Sequence, residues 1–285
     1  MIYNLLSNEN LFLIVLGFIW ILGAVLQDLR RREVDNVWNF SLIFFALAYR
    51  ASISIYTNDY WFFINGCLGF AIFLILGNLF YYLRVFAGGD AKLMIALGAI
   101  MPFSYNWITN FKIFGLFILL FLMTGSAYVL IWSIVLVFKN WKKFKKEYKK
   151  QFKIFRKLFF IVLLFFIFWI VLGIILKSIF LGMIGFVVIL FPIMFIFAKS
   201  VEESCMIRAL SPDKVTEGDW LYRDVLVKGK KIKADWDGVS KRELLLIRKR
   251  SNKKILIKEG IPFTPGFLFG FFVLVYLFWK FGWWF

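Results

Sequence analysis

Two aspartates stand at the mouths of apolar segments. Gln27-Asp28-Leu29-Arg30-Arg31-Arg32-Glu33 closes the first such segment, and Ala87-Gly88-Gly89-Asp90-Ala91-Lys92 opens another. An ionisable side chain at a membrane segment is costly, and its default reading is a functional site. A pair of carboxylates that can be brought together is the equipment for acid–base chemistry.

The rest of the inventory narrows the choice. The chain has no histidine, which excludes a Ser-His-Asp or Cys-His mechanism, a His-ligated zinc and a haem axial histidine. Cys67 and Cys205 supply neither a disulfide framework nor a zinc ligand set. No phosphate-binding loop and no dinucleotide fingerprint is present. The sequence therefore implies no metal and no organic cofactor, and the remaining chemistry is that of carboxylates.

The elements that must position these residues are set by composition. With 62% hydrophobic residues, 21% aromatics and a mean hydropathy of +0.79, there is too much apolar surface for a soluble single-core protein. Segments near the ~20 residues that span a bilayer core occur at about 10–27, 37–56, 61–83, 90–106, 109–138, 158–176, 179–198 and 262–282. The expected fold class is an all-α polytopic membrane protein of about eight transmembrane helices, with a small α+β cytoplasmic insertion before the last helix. The first segment lacks a cleavage pattern and is expected to stay in the mature protein.

Basic residues orient the chain. With the N-terminus outside, loops 29–36, 84–92, 139–157 and 199–261 face the cytoplasm and hold 3, 2, 10 and 16 Lys plus Arg. That is 31 of the 35, leaving Arg50, Lys112, Lys177 and Lys280, so both termini are expected outside. The same topology puts Asp28 and Asp90 at one depth, near the cytoplasmic surface. The net charge of +18 is concentrated beside membrane segments, where anionic lipid headgroups rather than nucleic acid are the expected partner. The expected parts are a catalytic membrane core over 1–138 and a basic amphipathic segment over 139–157. Two further transmembrane helices follow over 158–198, then a small basic cytoplasmic domain over 199–261 and a C-terminal transmembrane helix over 262–285.

Ordinary structural roles are available for each acid. Asp28 can pair with Arg31 or Arg32 on the next turn, and Asp90 can cap the helical pattern that follows it. Gly88 and Gly89 permit a sharp turn or a close approach by another chain. Lys92, about 200° round a helix from Asp90, is expected to snorkel to lipid headgroups. Glu33 and Asp35 are solvated loop acids that can also attract a basic peptide.

Taken together, Gln27-Asp28-x-Arg30-x-Arg32-Glu33-Val34 with Trp38, and Gly88-Gly89-Asp90-x-Lys92, resemble the archaeal type IV prepilin and preflagellin (archaellin) peptidases, aspartic proteases of the GxGD class. Asp237-Gly238-Val239-Ser240 through Ile247 and Gly260-Ile261-Pro262-Phe263-Thr264-Pro265-Gly266 are similar to the tail and last span of archaeal members. The family pattern has glycine where this chain has Ala87. The cysteine pairs that accompany methyltransferase activity in many bacterial relatives are not matched, so the resemblance implies peptidase activity alone.

The resemblance implies that Asp28 and Asp90 are catalytic and that Gly88 and Gly89 form the site loop. It also implies that the substrate is a pilin-like or archaellin precursor, cut between its basic leader and its apolar helix at the cytoplasmic membrane face. Two like charges in a low-dielectric site resist joint ionisation, so one carboxylate activates water and the other hydrogen-bonds the developing oxyanion. The residues do not say which is which, and the oligomeric state stays open. Glu33, Asp35 and Lys92 are candidates for contact with substrate or support of the site. Gly66, Gly69, Ala71 and Gly77 would permit a substrate helix to approach closely.

In 199–261, Lys228-Gly229-Lys230 between Val225-Leu226-Val227 and Ile232 predicts a hairpin, Ser240-Lys241-Arg242-Glu243 a capping box, and Ile255-Leu256-Ile257 a strand. Two alternatives stand beside the leading one. A presenilin or signal-peptide-peptidase relative would carry a Pro-Ala-Leu tripeptide, which is absent. A non-enzymatic transporter or scaffold would place its polar residues at mid-membrane.

Overall fold

The computed structural model describes residues 8–227, 230–236, 238–250 and 253–281. The chain divides into two compact units, one holding its beginning up to Leu130 with the segment after Gly260, the other running from Ile131 to Gly260. Among the described residues six helices are long and apolar enough to cross a membrane, and they make this a multi-pass membrane protein.

The first unit contains α1 (Asn8–Arg31), α2 (Asn36–Thr57), α3 (Tyr60–Tyr82), α4 (Gly88–Gly98), the first part of α5 (Trp107–Lys139) and α10 (Thr264–Phe281). α1 and α2 are clasped by two tryptophans. Trp20 Nε1 donates to the Trp38 carbonyl and to Ser41 Oγ, Trp38 Nε1 donates to the Trp20 carbonyl at 2.8 Å, and the rings stack 5.4 Å apart. Each indole N–H, costly to leave unpaired in an apolar medium, is thereby satisfied. Behind them lies an aromatic core in which Phe117, Phe121, Phe267 and Phe271 are fully buried, with Phe121 and Phe267 stacked 4.2 Å apart. Lipid is as apolar as these rings, so close packing rather than water exclusion holds them.

The predicted span 90–106 takes a different form. α4 has 11 residues, about 16 Å of helix against the ~30 Å of a bilayer core. Pro102 lacks a backbone N–H and disfavours helix in the residue before it, and the chain leaves the helix at Gly98. The stretch beyond is irregular yet buried, with Ala99, Ile100 and Met101 fully covered. Such backbone is tolerated at membrane depth only when protein satisfies its carbonyls. Arg50 does so. Fully buried on α2, its guanidinium donates to the carbonyls of Ala99, Ile100 and Pro102, and to that of Phe62, at 2.8 to 3.0 Å.

This half-helical segment runs the height of α1. Gly89 faces Val34, just past the C-terminal end of α1, whereas Asn10 near the N-terminal end donates through Nδ2 to the Phe103 carbonyl at 3.0 Å. α3 makes room for it. A Cβ at Gly69 would stand 2.4 Å from the Gly98 carbonyl oxygen, and one at Gly77 would stand 2.9 Å from that of Ala91. Of the small residues expected to admit a substrate helix, Gly69 and Gly77 are occupied by the chain's own fourth segment, Gly66 faces Arg50 and Leu47 of α2, and Ala71 is exposed.

The second unit holds the end of α5, α6 (Trp141–Ile154), α7 (Arg156–Ile175) and α8 (Ile179–Cys205), then β1 (Ile207–Leu210), β2 (Trp220–Leu221), β3 (Val225–Val227), β4 (Lys230–Ile232), α9 (Lys241–Arg250) and β5 (Ile255–Lys258). α6 is the expected amphipathic basic helix, but Phe144 on its apolar side packs against Phe197 of α8, with ring centroids 5.8 Å apart. β5 lies between β1 and β2, antiparallel to both, and β3 pairs with β4 as the predicted hairpin. Lys228 and Gly229 of its turn lie outside the described residues, as does Asp237. The capping box forms: Ser240 Oγ and N both donate to Glu243 Oε2 at the start of α9. Val215, Val227, Ile232, Val239, Ile247 and Ile255 close a small core beneath these elements.

Candidate active site

Asp28 lies in the last turn of α1 and is 7% exposed. Arg31 turns instead to Asp35, 2.7 Å away. Asp28 reaches across to α10, where its Oδ2 accepts hydrogen bonds from Thr264 Oγ1 at 2.8 Å and from the Thr264 backbone N–H at 3.2 Å. Thr264 is itself 1% exposed and is the first residue of α10. The carboxylate thus sits at the positive end of a helix, where free N–H groups favour negative charge. Pro265 at the next position brings no N–H and presets the helical φ.

Asp90 is the third residue of α4 and is half-buried. Ala87 occupies the N-cap position without a side-chain bond, so Asp90 is not the N-cap that its ordinary structural role would have made it. The Ala87 backbone amide is near enough to the Asp90 carboxylate to interact with it. The two carboxylates, 62 positions apart in sequence, lie within electrostatic reach of one another. Phe86 fixes the approach to α4. It is buried among Phe80, Phe121 and Phe267, at ring distances of 4.8, 5.6 and 6.0 Å.

The double glycine is not demanded by the fold. Neither Gly88 nor Gly89 has a positive φ, and a Cβ on either would find nothing nearer than 3.7 Å. The backbone before Asp90 therefore has an uncrowded flank. Ala87, with φ −69° and ψ 161°, is in extended backbone open to any L-residue, so alanine at this place costs no strain.

The flanking candidates separate. Lys92 does not snorkel free: its Nζ donates to Asn36 Oδ1 at 2.6 Å, tying α4 to the start of α2. It also borders a cavity of about 600 Å³ lined by Phe40, Ile43, Leu47, Phe70 and Ile95. Asp35 stands at the N-cap position of α2 with its side chain turned to Arg31, and its backbone N–H donates to Gln27 Oε1. Glu33 is exposed on the same turn. Thr264 and Phe86 are the residues the sequence did not assign, although Thr264 stands inside a segment singled out for its resemblance.

The sequence pattern of the type IV leader peptidase family extends over both aspartates. Residues 15–138 match it. Three curated relatives are preflagellin peptidases of methanogenic archaea. That of Methanocaldococcus jannaschii is 38% identical over 93 residues, covering 32% of this chain and 38% of the relative. That of Methanococcus maripaludis is 31% identical over 134 residues, covering 44% and 57%, and that of Methanococcus voltae 27% over 133, covering 44% and 56%. The chain thus spans between 38% and 57% of the lengths of these type IV leader peptidase relatives. No solved structure matches it.

Proposed function

We propose that this protein is a membrane aspartic endopeptidase that removes the basic leader from preflagellin-like or type IV prepilin-like precursors. The observation that carries the reading is the convergence of Asp28, at the end of α1, with Asp90, at the start of α4, inside the segment that matches the leader peptidases. Basic loops favour a cytoplasmic face for this end of the helices, with both chain termini outside.

The chemistry is hydrolysis by a carboxylate pair. Two acids within electrostatic reach in a low-dielectric site resist joint ionisation, and a pair sharing one proton is the working state of this chemistry. The ionised member takes a proton from water, whose oxygen attacks the scissile carbonyl, while the protonated member hydrogen-bonds the oxygen that becomes negative. Collapse breaks the C–N bond and returns a proton to the leaving amine. The uncrowded flank at Gly88 and Gly89 suits an extended peptide passing beside Asp90. Glu33 on the adjacent turn suits a basic leader, and the nearby basic loops suit anionic lipid.

The test is cleavage of a preflagellin in liposomes by wild type, Asp28→Asn and Asp90→Asn. Each substitution is expected to lower the rate by at least about a thousandfold, the scale of losing a catalytic acid or base. An undiminished rate for either variant would remove that residue from the dyad.

A further inference from the structure

We infer that Thr264 is a positioning residue that holds Asp28 as the ionised member of the pair, which makes Asp28 the water-activating base and Asp90 the acid. The inference rests on the peptidase reading above. It assigns the two roles that sequence leaves interchangeable.

The geometry distinguishes the two carboxylates. Asp28 Oδ2 accepts from both the backbone N–H and the hydroxyl of Thr264, at the first turn of an 18-residue helix. For Asp90, in the first turn of an 11-residue helix, the nearby donor is the Ala87 backbone amide, with no side-chain hydroxyl beside it among the hydrogen bonds of the described residues. A backbone N–H can only donate, so each such bond favours the charged form of its acceptor. Asp28 is the better served of the two, and a pair that carries one charge places it there. The charged and titratable groups around Asp28 are Asp90 from α4, Tyr128 from α5, and Arg31, Arg32, Glu33 and Asp35 at its own end of α1 and the turn beyond. α10 contributes the neutral Thr264 and, among the described residues, no charged group beside Asp28.

With both bonds on Oδ2, Oδ1 is the oxygen that takes the proton from water. The water oxygen forms the new C–O bond, and the carbonyl oxygen takes its proton from Asp90. When the C–N bond breaks, the proton on Asp28 passes to the amine, and the gem-diol returns one to Asp90. The pair ends as it began.

The experiment is a pH profile of kcat/KM for the full chain in liposomes, with a preflagellin substrate, comparing wild type, T264V, T264S and D28N. Loss of one bond to the charged carboxylate is expected to move the acid limb of T264V upward by about one pH unit. The rate below the limb then falls about tenfold while KM holds. T264S keeps the hydroxyl and is expected to keep the wild-type limb. If T264V does not accumulate, T264A deletes the same donor and reads the same limb. Superimposable limbs, a loss equal at all pH values, or movement of the alkaline limb instead would each overturn the assignment. Those failures are separate from failure of the peptidase reading, which would appear as a wild type that does not cleave or a D28N that cleaves as wild type does.

Discussion

Arg50→Met tests whether one buried cation carries the irregular half of the fourth segment. The guanidinium is fully buried, sits 4.6 Å from the Phe62 ring centroid and supplies donors to four backbone carbonyls. Methionine fills much of the volume but donates nothing, so the carbonyls of Phe62, Ala99, Ile100 and Pro102 are stranded. Each stranded acceptor costs about 1–3 kcal/mol, a ceiling of about 4–12 kcal/mol. Relief from burying a charge offsets part of this, and removing one partner from a buried ionic network generally costs about 3–5 kcal/mol. At about 2 °C per kcal/mol for a chain of this size, the Tm in detergent is expected to fall by about 6–10 °C. Size-exclusion chromatography after heating a fluorescent fusion measures it. Arg50→Lys, a compact charge without the planar fork, is expected to recover less than half the loss. A Tm for Arg50→Met within about 2 °C of wild type, a difference worth about 1 kcal/mol, would show that these carbonyls find other partners and refute the argument.

Gly69→Val would drive a side chain into the Gly98 carbonyl oxygen and Pro102, so it should prevent α4 from seating against α3. The expected result is a sharp loss of the monodisperse peak, whereas Gly115→Ala, where a Cβ meets nothing, should retain it. At the start of α9, the Ser240 hydroxyl and N–H hold the Glu243 carboxyl below its ordinary value. Its folded value being depressed, the support is present above the unfolded value and is lost as pH falls through the folded one. Because the group is largely solvated, the effect is at most about 1 kcal/mol. Glu243→Gln should therefore raise hydrogen exchange of the first α9 amides by no more than about fivefold near neutrality. The difference should vanish in acid below the folded Glu243 value.

What was legible in the sequence was local. Asp28 and Asp90 stand out because charge at the edge of an apolar segment is costly, although each acid alone also has an ordinary structural role, and Ser240 with Glu243 fixes a helix start within four residues. The β3–β4 hairpin and β5 follow from β-branched runs beside a glycine turn. The rest is set by partners distant in sequence. Hydropathy over 90–106 has the extent of a span, yet whether it is helical is decided by Gly98, Pro102 and an arginine 49 positions upstream of Ala99. Thr264 lies 236 positions from the carboxylate it holds. Lys92 looked like a headgroup anchor because nothing in its neighbourhood in sequence announces Asn36.

The bond from Thr264 to Asp28 also orders events during synthesis. Both aspartates, and all of residues 15–138 that match the leader peptidase family, are translated well before α10 exists. At 5–20 residues per second, Asp28 waits about 10 to 50 s for Thr264 to emerge. Until α10 packs against α1, the Asp28 carboxylate lacks both Thr264 donors, so on the proposed reading the two acids exist before the charge arrangement that would let them work. Docking of α10 would, on that reading, set a delay between making the two acids and arming them.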